Sequence, residues 1–222
     1  MTVGTKRRSV ADRLLYLCTP DRPDLADFVE ACISGGVDVV QLREKELDAR
    51  RLVARARIVR EVCTRSGVPF VLNDRPDLAL EAGADGVHVG QDDAPPALAR
   101  RILGERAIIG LSTHAPSDLE RAMHEPVDYL SAGPVVETPT KPGRPGTGIA
   151  YAALATRRAP LPVFVTGGVS PSSVDALVAA GVRRFVVVRW LTQAPDPGRA
   201  ASELRDAIER AVAAHAGNRA PD

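Results

Sequence analysis

No stretch of this 222-residue chain is apolar for long enough to cross a bilayer as a helix, which takes roughly 18 consecutive residues. The opening MTVGTKRRSVADR carries basic residues with no apolar segment behind them, so it does not read as a signal peptide. A surplus of either charge is also missing. Lys and Arg total 29 against 28 Asp and Glu, a net +1 with the signs interspersed, which argues against a nucleic-acid face or a polybasic membrane anchor. Cysteine is scarce. Cys18, Cys32 and Cys63 are odd in number, lack metal-type spacing and form no C-x-x-C, so a disulfide framework is excluded and buried thiols in a reducing cytoplasm are expected. No Ser/His/Asp triad and no H-E-x-x-H spacing is present, and no linker, repeat or low-complexity segment interrupts the chain.

What remains is 45% hydrophobic content, enough for one globular domain with a full core. Short Val/Ile/Leu runs alternate with helical spacing along the whole length. Leu14–Cys18, Val37–Leu42, Phe70–Leu72, Gly86–Val89, Ala107–Leu111, Val127–Ala132, Pro162–Thr166 and Arg184–Val188 read as strands, and each is followed by a helical pattern. The strands are mostly Val/Ile/Leu and do not alternate, as suits strands buried on both faces. Eight βα units of this size predict an α/β fold, a single (β/α)8 TIM barrel over residues 1–222 with frayed tails at 1–12 and 217–222. A doubly wound open sheet is the alternative.

Unusual polar residues follow the strands and seldom precede them, and in a barrel the C-terminal strand ends form the working face. The segment Pro69–Asp93 is the most informative. Two neighbouring parallel strands end in Asn73-Asp74 and in Asp92-Asp93, so these four should meet. Converging carboxylates invite a hard cation such as Mg²⁺, which takes one or two carboxylates and leaves room for phosphate oxygens. The competing reading is that Asp74 and Asp92 cap helix N-termini. Gln41, Arg43 and Lys45 alternate after the second strand and suit phosphate oxygens. Thr138-Pro139-Thr140-Lys141 offers two hydroxyls and an ammonium in a loop, 133–148, whose glycines leave it pliable. Gly167-Gly168, before a helix start and beside the last strand end, suits a second phosphate. Ser112 lacks an obvious base and reads as a hydrogen-bonding group, His88 as a packing residue inside a strand, and His114 as nearer the site. The inventory implies two phosphorylated moieties, one of them a diphosphate held through metal and cations.

The segments QLREK (41–45), ND (73–74), DGVHVGQDD (85–93), GLSTH (110–114), GPVVETPTK (133–141), GGV (167–169) and VVVR (186–189) together resemble the thiamine-phosphate synthase family, in the family's order. The resemblance implies a TIM-barrel transferase that joins 4-amino-2-methyl-5-hydroxymethylpyrimidine diphosphate to a thiazole phosphate and releases pyrophosphate. It implies Asp74 and Asp93 as Mg²⁺ ligands. It places Gln41, Leu42, Arg43, Glu44, Lys45, Asn73, Ser112 and Lys141 on the pyrimidine diphosphate, and Thr138, Pro139, Thr140, Gly168, Val188 and Arg189 on the thiazole phosphate. Arg43, Lys45, Ser112 and Lys141 would be catalytic, stabilising charge on a departing pyrophosphate. Both partners are small molecules, neither nucleic acid nor membrane is expected, and a homo-oligomer is left open.

The chain departs from the common pattern at Arg189, where Ser often follows the valines; a backbone contact survives that change and a hydroxyl contact does not. Asp92 stands where Glu is frequent and reads as outside the metal's own ligand set. Val165-Thr166 replaces the usual Ala-Ile. Two rivals share the barrel: a thiazole tautomerase, which needs no diphosphate cage, and a non-catalytic thiamine-phosphate binding protein.

Overall fold

The computed structural model describes residues 9–138 and 145–216. The elements run β1 (Leu15–Thr19), α1 (Leu25–Ser34), β2 (Val39–Leu42), α2 (Ala49–Arg65), β3 (Phe70–Asn73), α3 (Pro76–Ala82), β4 (Gly86–Val89), α4 (Pro96–Leu103), β5 (Ile108–Thr113), α5 (Pro116–Ala122), β6 (Tyr129–Ala132), α6 (Gly148–Arg158), β7 (Val163–Thr166), α7 (Pro171–Ala179), β8 (Phe185–Val187), α8 (Arg189–Thr192) and α9 (Pro197–Ala216). All eight strands are parallel, and β8 pairs back onto β1, which closes the barrel and rules out the open sheet. The strands match the sequence reading to within a residue or two. The helices differ by one: the turn after β8 winds into the short α8 before the long C-terminal helix begins, so nine helices are found among the described residues.

Two packed layers follow from strand alternation. Outward residues such as Leu15, Leu17, Val40, Leu42 and Leu72 meet the apolar helix faces. Inward residues Tyr16, Val39, Val71, Ile108, Tyr129 and Phe164 fill the barrel from its lower end, with Val10 packed against them. The rings of Tyr16 and Phe164 meet edge to face at 5.3 Å, the arrangement that aromatic quadrupoles favour. All three cysteines are buried thiols, and burial pushes Cys32 up to about 12, which makes it unreactive.

The lower face is stitched by acids that stand just before alternate strands. Asp38 accepts from the Leu15 N–H at 3.0 Å, Asp85 from Phe70 at 2.9 Å and Asp128 from Ile109 at 2.8 Å. An arginine from a surrounding helix clasps each one: Arg205 on Asp38 at 2.8 Å, Arg60 on Asp85 at 3.1 Å and Arg100 on Asp128 at 2.8 Å. Each acid therefore caps an otherwise open strand-start donor and ties a helix to the barrel. Structural charge gathers at this end, and the polar residues with no such task gather at the other.

Candidate active site

A cavity of about 990 Å³ opens at the C-terminal ends of the strands, large for a single small ligand and suited to two. Eleven of the sixteen site residues that the resemblance implies line it: Gln41, Arg43, Lys45, Asn73, Asp74, Asp93, Ser112, Thr138, Gly168, Val188 and Arg189. Leu42 and Glu44 do not. Leu42 points outward into the core, as alternation with Gln41 requires. The Glu44 carboxylate is turned onto backbone, accepting from Lys45 and Glu46 N–H at 2.8 and 2.9 Å. Pro139, Thr140 and Lys141 lie outside the described residues.

The acid pair forms as the βαβ unit requires. β3 and β4 are adjacent with Asn73 beside His88, which brings Asp74 and Asp93 together at one rim. Asp74 caps no helix: the residue before α3 is Arg75, with no capping side chain. Its backbone instead adopts φ 63°, unusual for a residue with a Cβ, and its carboxylate meets the Lys45 ammonium at 2.8 Å. Burial pushes the Asp74 carboxyl above its ordinary range, Lys45 pulls it back, and neighbouring Asp93 raises it further. Asp93 accepts from the Gly90 N–H at 2.9 Å, which fixes its loop. Asp92 is exposed at the cavity edge.

Asn73 is buried, yet its side-chain Nδ2 has no hydrogen-bond partner among the described residues. A buried amide without an acceptor is costly, and this one lines the cavity beside Asp74. Across the mouth, Gly167 and Gly168 adopt φ 100° and 72°. A Cβ on Gly167 would stand 2.5 Å from the Val135 backbone nitrogen, so the β6–α6 loop can cross this turn only because the position is glycine. That loop is pinned at its base, where Thr147 and Gly148 N–H donate to the Pro134 and Val135 carbonyls at 2.7 and 3.0 Å. Arg189 opens α8 and is exposed at the cavity wall.

The sequence reading gave no role to Tyr16, Cys18, Ser131 or Thr166, and counted His88 as packing; all five line the cavity. His88 is buried as expected, but its two ring nitrogens reach Tyr129 Oη and Ser112 Oγ, each at 2.9 Å. The signal was parity: these residues share the inward register with Gln41, Asn73 and Ser112.

The family model for thiamine monophosphate synthase matches residues 15–191. The thiamine-phosphate synthase of Thermobifida fusca is 47% identical over 216 residues, covering 95% of this chain and 99% of that protein. That of Thermus thermophilus is 48% identical over 200 residues, covering 87% and 96%. The solved thiamine phosphate pyrophosphorylase from Pyrococcus furiosus superposes with a TM-score of 0.83 at 27% identity, covering 91% of this chain and 98% of the other. The closed barrel, the rim chemistry and these likenesses agree, and the chain belongs to the thiamine-phosphate synthase family of transferases.

Proposed function

We propose that the cavity joins a pyrimidine diphosphate to a thiazole phosphate, giving thiamine phosphate and pyrophosphate. The observation that carries this reading is one rim where Asp74, Asp93, Arg43, Lys45 and the unpartnered Asn73 amide converge, facing a glycine turn across the same cavity. The first group suits a diphosphate with a divalent ion, and the second suits a monophosphate.

Two carboxylates crowded until one titrates high are a fitting site for a hard cation. The described residues offer no third His, Cys, Asp or Glu to complete a protein cage. Mg²⁺ accepts such partial coordination because phosphate oxygens and water fill the rest. Asp74 and Asp93 would hold it, and when bound it supplies charge neutralisation for the departing diphosphate.

The chain's own residues do the remaining work. Arg43 and Lys45 stabilise negative charge as it develops on the leaving pyrophosphate, and Asn73 donates its open N–H to the same oxygens. The bond from the pyrimidine methylene to oxygen breaks, and the ring's amino group delocalises the cation that forms. Gln41 reads the ring edge, since its amide both donates and accepts. Thr138, Gly168 and the Val188-Arg189 turn hold the thiazole phosphate so that the ring nitrogen attacks the methylene carbon. Positioning of this kind supplies much of the rate without a covalent intermediate. Lys141 and Thr140 are expected to join from the same loop.

Pyrophosphate release by the full chain with both substrates and Mg²⁺, coupled to detection of thiamine phosphate, tests the reading. Binding of thiazole phosphate with no release at any Mg²⁺ concentration would overturn it.

A further inference from the structure

The barrel interior carries a continuous line of hydrogen bonds whose inner members, Tyr16, Tyr129 and His88, have no part in the reaction above. Cys18 Sγ donates to Gln41 Oε1 at 3.2 Å, and Gln41 Nε2 donates to Tyr16 Oη at 2.8 Å. Tyr16 and Tyr129 hydroxyls meet at 2.8 Å. Tyr129 Oη lies 2.9 Å from His88 Nδ1, and His88 Nε2 lies 2.9 Å from Ser112 Oγ. Ser131 Oγ stands 3.4 Å from Ser112 Oγ. The line crosses from β1 and β2 to β4, β5 and β6 along the cavity floor. Gly110 makes the crossing feasible: a Cβ there would sit 2.1 Å from the Tyr129 ring and 2.5 Å from His88 Nδ1.

The donors can be followed link by link. An amide nitrogen only donates, so Tyr16 accepts from Gln41, and among the described residues the Tyr129 oxygen is the acceptor within reach of its own proton. Tyr129, having accepted, gives its proton to His88 Nδ1. An imidazole that accepts at Nδ1 carries its proton on Nε2 and donates it to Ser112 Oγ. Both phenols are buried, and burial drives each far above the range where it would ionise, so each link holds one proton and no more. The Ser112 hydroxyl, accepting from His88, is left to donate its own proton into the cavity.

We infer that this chain is directed, that Tyr129 and His88 are positioning residues, and that their task is to fix Ser112 as a hydrogen-bond donor to the bound diphosphate while locking the Gln41 amide in one orientation. The last step rests on the function proposed above; the direction of the chain does not. The same geometry read with Gln41 flipped would reverse every link, place the histidine proton on Nδ1 and turn Ser112 into a donor to His88 and an acceptor toward substrate. One amide orientation at one wall thus decides what a hydroxyl offers at the other. The arrangement couples reading of the pyrimidine edge to the contact with its leaving group.

Two measurements test this. Long-range proton–nitrogen NMR of the ¹⁵N-labelled full chain reports the tautomer of each of its four histidines, with His88 assigned by its loss in His88→Gln. The expected signal is the Nε2–H tautomer. An Nδ1–H tautomer or a doubly protonated ring would overturn the inference. The second is a double-mutant cycle on turnover. Ser112→Ala is expected to lower kcat roughly 100-fold, as loss of one oriented donor does, and Tyr129→Phe roughly 10-fold. The pair together should fall no further than about 2-fold below Ser112→Ala alone, because Tyr129 acts through Ser112. Fully multiplicative effects would overturn the positioning role. If the wild-type chain shows no turnover of the two substrates, the function fails as proposed, and the tautomer alone then decides the direction of the chain.

Discussion

Replacing Asp74 by Asn separates what this residue does for the fold from what it does for the reaction. The carboxylate pairs with Lys45 at 2.8 Å, but that lysine is 49% exposed, and such pairs contribute about 0.2–1 kcal/mol. Against this stand burial and neighbouring Asp93, which together hold the folded-state carboxyl above its ordinary value. The sign follows. A raised folded-state pKa contributes stability that is complete below the unfolded value, near 3.9, and is lost as pH climbs through the folded value. At pH 7 the ionised Asp74 is therefore a net cost to the metal-free protein. Asn keeps the shape, removes the charge and tolerates the positive φ of 63° at this position. A gain on the order of 0.5 kcal/mol, the size of one exposed ion pair, raises Tm by about 1–2 °C in a chain of this length. Thermal melts without divalent ions should show Asp74→Asn above wild type at pH 7, with the difference closing near pH 4. Adding Mg²⁺ should lift wild type and leave the variant almost unmoved, since only a bound ligand shifts the equilibrium. Turnover should fall by more than about 100-fold, beyond the loss expected from a merely supporting residue. A variant less stable than wild type at pH 7, or one that retains Mg²⁺-dependent turnover, would refute the reasoning.

Asp93→Ala should abolish Mg²⁺-dependent turnover while circular dichroism and the melt stay near wild type, because within the fold its carboxylate serves the Gly90 N–H of a surface loop. Asp128→Ala acts at the opposite end of the barrel. It leaves Arg100, 12% exposed, with backbone carbonyls but without its carboxylate, and opens the Ile109 N–H, so denaturant unfolding should show a loss of about 3 kcal/mol with kcat unchanged. Gly168→Ala forces a Cβ to within 2.5 Å of Val136 at φ 72°. Steady-state kinetics should show a higher KM for the thiazole phosphate and little change in KM for the pyrimidine diphosphate.

Much of the fold was legible because its signals are local. Apolar strands, glycines such as Gly83 in the left-handed region closing α3, and prolines opening α3, α4, α5 and α7 all act within a few residues. The acid pair was legible because a βαβ unit fixes its strands side by side, so two sequence positions translate directly into one place. What escaped depends on partners far apart in sequence. Tyr16 and Tyr129 are 113 positions apart, and nothing near either announces a shared hydrogen bond. The Asp38, Asp85 and Asp128 clasps were missed for a similar reason: an Asp before a strand looks like a turn residue until its arginine arrives from another helix. Glu44 is a case where orientation was not legible: it sits inside a run that resembles the family's binding motif, and its carboxylate turns onto the loop backbone while Arg43 and Lys45 line the cavity.

The division between the two ends of the barrel is energetic as well as positional. At the lower end each of the three half-buried acids meets an arginine and a backbone donor, so these charges are compensated within the fold. At the upper end the compensation is incomplete. Asp74 holds a strained backbone angle, its carboxyl is crowded by Asp93, and the Asn73 amide is buried with an open donor. The crowding and the open donor each oppose folding by themselves, and under the function proposed above a divalent cation would relieve the acids and phosphate oxygens the amide. The crowded acids and the open Asn73 donor lie side by side on one rim, next to Arg43 and Lys45, which an anion would also satisfy, and that juxtaposition ties the stability of this barrel to its chemistry.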